Sequence, residues 1–246
     1  MSDSSNEISS ILAINGSPRA GKGATDVVVS RFLKGAESAG ASTEELYPAK
    51  MKIAHCLGDL DCWFKHPGEC RHKDDMPAVM ERLKESDLLV FASPVYVDNM
   101  TSQMKKFFDR FVAFTEPYFE FEGGRSYHPR VGSRQPKVVA ISVCGFPERV
   151  HFDPISLTFQ RICQNMHADL LGEFYFPASS MIFSSPEKVA GQLEAVEKAG
   201  IEAVSTGTIS KDTIEKANRD YVGDPELFGQ EINEMFRTLR ESHGNS

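Results

Sequence analysis

The chain reads as an α/β fold built on a doubly wound parallel sheet. Three observations carry that reading. Short apolar runs alternate with amphipathic stretches along most of the chain. Two of the runs, 87–92 and 138–143, are apolar but for one residue each, Asp87 and Ser142, as strands buried on both faces require. Polar, chemistry-bearing loops follow three runs, at 16–25, 94–100 and 144–146. In such sheets helices cover both faces, and ligands bind beyond the carboxyl ends of the strands, where strand order reverses.

Taken in order, the first strand is 10–15, closing at Asn15. A helix over 24–39 follows, with Gly40 as its natural stop. A short strand at 43–47 leads into a loop, 48–73, dense in Cys and His. The pattern then predicts a helix at 75–85, the strand at 87–92, and a helix over 100–114. That helix carries Met104, Phe107, Phe108 and Phe111 at core-facing spacing. Residues 115–136 are rich in Gly, aromatics and Arg and show no period, which marks a functional or mobile loop. The strand at 138–143, a helix at 153–167 and a strand at 170–176 complete a five-stranded sheet. Helices at 187–204, 211–219 and 225–240 end the chain. No shift in composition marks a second domain. The expected division is a disordered 1–8, one domain over 9–205, and a C-terminal helical extension of it over 206–246.

Bulk properties narrow the function. Among 246 residues, 35 are acidic and 27 basic, which argues against a nucleic-acid surface but not against one basic pocket. No apolar run approaches the roughly 18 residues that span a bilayer. The start, Met1 to Ser10, is polar and has no apolar signal core, so a cytoplasmic location is expected. Five cysteines, an odd number in a reducing compartment, argue against structural disulfides.

The loop after the first strand is the richest local signal. Gly16, Gly21 and Gly23 leave backbone N–H groups open, and Ser17, Arg19, Lys22 and Thr25 add hydroxyls and positive charge. A helix starts directly behind it, so its dipole points at the same place. That combination receives a phosphate; the plainer alternative is an ordinary polar strand-to-helix turn. Gly21-Lys22-Gly23 lacks the Lys-Ser/Thr ending of triphosphate-binding loops.

Several short motifs occur in a fixed order: Ile14-Asn15-Gly16-Ser17-Pro18-Arg19, Asp74-Asp75-Met76, Ser93-Pro94-Val95-Tyr96, Met100-Thr101, and Lys105-Lys106-Phe107-Phe108-Asp109-Arg110. Over about 10–145 the chain resembles the NADPH-dependent FMN reductase and multimeric flavodoxin group, which includes relatives of iron–sulfur flavoproteins. The resemblance implies a flavodoxin-like sheet of order 2-1-3-4-5 and bound FMN. It assigns Ser17, Arg19, Gly23, Ala24 and Thr25 to the phosphate. Pro94, Val95, Tyr96, Asn99 and Met100 would flank the isoalloxazine, and Cys144, Gly145 and Phe146 would close its other edge. The group often has Asn where this chain has Ala24, so one side-chain contact is missing and backbone N–H groups must serve. The alternative reading of Tyr96 is a half-buried aromatic at a strand end. No protein acid or base is named as catalytic, because hydride chemistry belongs to the flavin.

The resemblance also bears on the cysteine loop. Relatives often carry Cys-x2-Cys-x2-Cys and a fourth Cys before Asp-Asp-Met. Here Cys56, Cys62 and Cys70 occupy three of the four places and Asp59 the other. A four-iron cluster takes four thiolates. Zinc is a second option, because His55, His66 and His72 are interleaved. The plain reading is reduced thiols without metal. Cys144 is read as a small pocket liner and Cys163 as core.

The implied activity is an NAD(P)H-dependent oxidoreductase. NAD(P)H is the donor, and a small acceptor (a quinone, an azo or nitro compound, or free flavin) takes the electrons. A flavodoxin-like electron carrier and a flavin-binding sensor without turnover are the alternatives. With no separate dinucleotide-binding fold, donor and acceptor would take turns at the flavin. Arg125, Arg130 or Arg134 could meet dinucleotide phosphates, or be solvated loop charges. A homodimer or homotetramer is expected by analogy, through 114–127 or the terminal helix. Nucleic-acid and membrane partners are not expected.

Overall fold

The computed structural model describes residues 8–131 and 135–244. Five strands form one parallel sheet: β1 (Ser10–Asn15), β2 (Ser42–Leu46), β3 (Leu88–Pro94), β6 (Lys137–Val143) and β7 (Asp169–Phe176). Their spatial order is β2-β1-β3-β6-β7. Counting sheet strands alone, this is the anticipated 2-1-3-4-5 order, and the reversal lies between β1 and β3.

Strand alternation sorts the core into two layers. Along β1, Ile11 and Ala13 face one side, and Leu12 and Ile14 the other. The first side is covered by α1 (Ala24–Ser38) and α7 (Pro186–Thr206), through Val28, Phe32, Val189 and Val196. These two helices touch backbone to backbone: a Cβ on Gly35 would lie 1.9 Å from Glu197 O, and one on Gly200 would lie 2.1 Å from Phe32 O. Glycine at both crossing points is therefore a packing requirement. The second side is covered by α3 (Met76–Glu85), α4 (Ser102–Phe108) and α5 (Asp153–Asn165), through Met80, Met104, Phe107 and Phe159. The stripe of apolar residues expected over 100–114 is core.

Four local features differ from the sequence reading. The helix expected to 114 is α only to Phe108, and Asp109–Phe114 continues as a 3-10 helix. There the Val112 carbonyl accepts the indole N–H of Trp63 at 3.0 Å. The loop 48–73 contains a one-turn helix, α2 (Asp61–Phe64). Within 115–136 sits a two-stranded hairpin, β4 (Glu120–Glu122) with β5 (Arg125–Tyr127). Gly123 and Gly124 join its strands with φ of 56° and 77°, the left-handed pair that a two-residue hairpin turn demands. Lastly, Ile8 was expected in a disordered start but is 2 % exposed and packs in the first core layer. The rest of that stretch, 1–7, lies outside the described residues.

Beyond β7 come α6 (Met181–Ser184), α7, α8 (Lys211–Ala217) and α9 (Pro225–Gly244). α9 exposes Leu227, Met235, Phe236 and Leu239. Among the described residues, no helix is long and apolar enough to cross a membrane.

Candidate functional site

The loop after β1 is shaped from within. Asn15 Oδ1 accepts the Ser17 N–H at 3.0 Å, and the Ser17 hydroxyl oxygen accepts the Arg19 N–H at 3.3 Å. Asp26, in the first turn of α1, accepts from Gly21 N–H and Gly23 N–H, each at 2.7 Å, and from the Asn15 amide at 3.0 Å. Asn15 also donates to Glu45 at 2.9 Å. Burial, then Glu45 and Asp26, push the Tyr47 phenol well above its usual range, so it stays protonated beside the two carboxylates. The loop is thereby wrapped over the start of α1, whose first N–H groups have no intrahelical acceptor. A side chain at Gly23 would lie 3.2 Å from Ser17 Oγ and 3.5 Å from Arg19 Cδ, so glycine keeps this cradle open. Ser17 and Thr25 are buried, whereas Arg19 and Lys22 are exposed. Among the described residues neither cation has a carboxylate within ion-pair distance.

The second loop is tied to the first. Thr101 caps α4, donates its hydroxyl to Gly16 O at 2.7 Å, and gives its N–H to Ser93 Oγ at 3.1 Å. Gly16 passes so close to α4 that a Cβ would lie 2.7 Å from Met104 Cβ. Between Tyr96 and Asn99 the chain makes a tight turn, closed by Tyr96 N–H to Asn99 O at 2.7 Å. Its central residues, Val97 and Asp98, have φ of 51° and 56°. A β-branched residue in that region is strained. Tyr96 is 51 % exposed, Met100 is buried, and Pro94, Val95 and Asn99 are half-buried.

The third loop joins the second twice. Val95 N–H donates to Val143 O at 2.8 Å, and His151 Nδ1 meets Asp98 Oδ1 at 2.7 Å. Phe146 is exposed and stacks on the His151 ring with centroids 4.5 Å apart; Gly145 is exposed. The Cys144 backbone is fixed to the end of β7 through Phe176 O and the Ser179 N–H. Its thiol is buried, and burial pushes its pKa up. Cys144 therefore stays protonated at neutral pH, which suits a wall rather than a nucleophile.

All the residues named for the three loops thus come to one sheet edge. Sequence reasoning gave no structural role to four that hold them there: Asp26, Thr101, Asp98 and His151. Asp26 had a readable signal, a carboxylate three residues after the helix-capping Gly23. The Asp98–His151 contact spans 53 residues and had none. Arg125 and Arg130 go elsewhere. Arg125 reaches Gln164 and Arg130 the Met166 carbonyl, both at the C-terminal end of α5, away from the loops. Arg134 lies outside the described residues.

In the cysteine loop, Cys56 is exposed, Cys62 buried and Cys70 between the two. They line one cavity of about 20 Å³ together with Asp59 and His72. That is room for about one water. Asp59 accepts from Arg71 at 3.2 Å and from the Asp61 N–H at 3.3 Å; that backbone bond and Arg71 hold its carboxyl below the usual range. Burial first, then Cys70 and Cys56, raise the Cys62 thiol. Among the described residues no three His, Cys, Asp or Glu side chains converge to hold a metal ion. Arg110 anchors the loop instead: buried, it meets Asp74 at 2.6 Å and donates to Ala54 O at 3.1 Å. Cys163 is buried in α5, its thiol pushed up to about 12 by burial.

Known proteins resemble this arrangement. An iron–sulfur flavoprotein of Archaeoglobus fulgidus is 35 % identical over 140 residues, which is 56 % of this chain and 60 % of that protein. The chain thus spans under two thirds of that relative's length. Among solved structures, an NAD(P)H:quinone oxidoreductase of Methanothermobacter marburgensis superposes with a TM-score of 0.59 at 15 % identity, covering 80 % of this chain and 96 % of that one. An FMN-dependent NADH-azoreductase of Bacillus anthracis, solved with FMN, gives 0.60 at 13 % identity, covering 80 % of this chain and all of that one. These two likenesses are of fold. Residues 9–142, more than half of the chain, match the family described as NADPH-dependent FMN reductase, and the protein belongs to that family.

Proposed function

We propose that the chain is an NAD(P)H-dependent, FMN-containing oxidoreductase that delivers electrons to a small acceptor: a quinone, an azo or nitro compound, or free flavin. The observation that carries the reading is the joining of three loops at the strand-order reversal, with an open, cation-flanked cradle at the start of α1. Family membership supports it, as does the fold shared with quinone- and azo-reducing enzymes. Ser17, Arg19, Gly23, Ala24 and Thr25 hold the phosphate, by hydroxyl, guanidinium and backbone N–H. Pro94, Val95, Tyr96, Asn99 and Met100 line one side of the ring, and Cys144, Gly145 and Phe146 close its other edge. Bound there, FMN supplies the hydride and electron chemistry. The protein's part is to orient that group and hold the loops rigid around it. An assembly of two or four copies and NAD(P)H as donor belong to the same proposal.

The iron–sulfur designation of relatives does not carry over to the cysteine loop. Three thiols and a carboxylate already engaged by Arg71 surround a space fit for one water, and a four-thiolate cluster does not fit that donor set. No electron step is assigned to it.

Replacing Arg19 tests the phosphate assignment. Arg19→Ala removes a charge-assisted bond of about 1.5–3 kcal/mol, so FMN affinity falls at least about tenfold with the fold intact. Full flavin retention by the variant through dialysis contradicts the assignment.

A further inference from the structure

At the opposite end of the sheet from the three loops lies a cavity of about 470 Å³. Its position is fixed by Leu89 at the start of β3, Pro136 just before β6 and Met166 just after α5. The β4–β5 segment covers it, with its base tied down by Glu116 N–H to Pro129 O and Val131 N–H to Phe114 O, each at 2.7 Å. The volume lies within the roughly 300–1,000 Å³ of small-molecule sites. The walls are apolar, led by Phe108, Phe111, Phe114 and Ile162.

The polar groups of this cavity are unequal. Lys84 is paired with Glu81 at 2.7 Å. His128 Nδ1 faces two backbone carbonyls, Glu116 O at 3.1 Å and Tyr118 O at 2.8 Å, so it carries a proton and donates it there. Arg130 is different. Among the described residues its guanidinium makes one hydrogen bond, to Met166 O at 3.1 Å, and no carboxylate lies within ion-pair distance. A guanidinium has five N–H donors in a fork that matches a carboxylate. Burial depresses the Arg130 pKa with nothing offsetting it. Arg130 is half-buried, so its guanidinium gives up part of its hydration without a counterion, and an anion arriving from outside offsets that loss.

We propose that this cavity binds a small amphipathic monoanion, an aromatic or aliphatic carboxylate whose apolar body fills the phenylalanine-lined space while its head group meets Arg130. The site is separate from the three-loop edge, and binding there is read without turnover, so its test stands apart from that of the FMN assignment.

The test is calorimetric titration of the protein as purified, with 2-naphthoate and with its neutral isostere 2-naphthamide. The acid binds saturably, one per chain, and at least about tenfold more tightly than the amide, the worth of one charge-assisted pair. Arg130→Gln abolishes that preference and leaves amide binding unchanged. Arg130→Lys, which keeps the charge but loses the fork, retains part of it and serves if the Gln variant does not fold. Absence of saturable binding, equal affinity of acid and amide, or a preference that both Arg130 variants keep in full would overturn the proposal; the last result places the acid elsewhere.

Discussion

Arg110 and Asp74 are enclosed together, with side chains 1 % and 8 % exposed, and that enclosure decides what a substitution at either does. Burial alone would raise the Asp74 carboxyl. Arg110 and the backbone N–H groups of Ala54 and Met76 overcome it and hold the group below its usual range. Asp74→Asn leaves a buried guanidinium without its counterion, a loss of about 3–5 kcal/mol. Urea unfolding of wild type and variant at pH 7 measures it. The sign with pH follows. A depressed carboxyl contributes stability in full above its unfolded value of about 4, and loses it as pH falls through the folded value. The gap between wild type and Asp74→Asn therefore narrows in urea melts taken progressively below about pH 4. At this scale the sequence was informative about types and silent about partners. Ser17, Arg19 and Thr25 were legible because a phosphate loop needs hydroxyls and cations next to a helix start. The Asp74-Asp75-Met76 motif was legible only as a mark of resemblance. Its physical task, fastening the cysteine loop to Arg110, depends on a contact 36 residues away.

The turn from Tyr96 to Asn99 is the element whose shape costs most against its own residues. Val97 stands in the left-handed region with its side chain fully exposed, so no packing offsets the strain. Asn tolerates that backbone, and Val97→Asn raises stability by about 1 kcal/mol. A rise in the thermal midpoint with FMN retention unchanged shows that the turn's backbone, and not the valine side chain, serves the site. Elements with strong periodicity or continuous apolar runs were legible to within a few residues, as α1, β3, β6 and α7 show. The elements that escaped have no period to read. The β4–β5 hairpin is announced only by Gly123-Gly124 between two three-residue strands. The 3-10 continuation over Asp109–Phe114 is bound up with Trp63, 49 residues away from Val112 in sequence.

For the whole molecule, strand order was expected from resemblance and the layering from alternation, because both faces of β1 and β3 are apolar. What single-chain patterning does not explain is α9. Its exposed Met235, Phe236 and Leu239 recur at helical spacing on the same face as Phe228, which packs on the core, and Leu227 is exposed beside them. If that face closes the proposed assembly, removing residues 230–246 leaves the thermal midpoint of the core within about 2 °C and lowers the number of chains in the sedimenting particle. An unchanged number of chains assigns the assembly to another surface. The proposed electron path is tested by an anaerobic titration of the purified flavoprotein with NADPH and with NADH, followed in the flavin's visible band. At least one nucleotide bleaches the band within turnover time, and a quinone added afterwards restores it. A bound flavin that neither nucleotide reduces would rule out the proposed reductase.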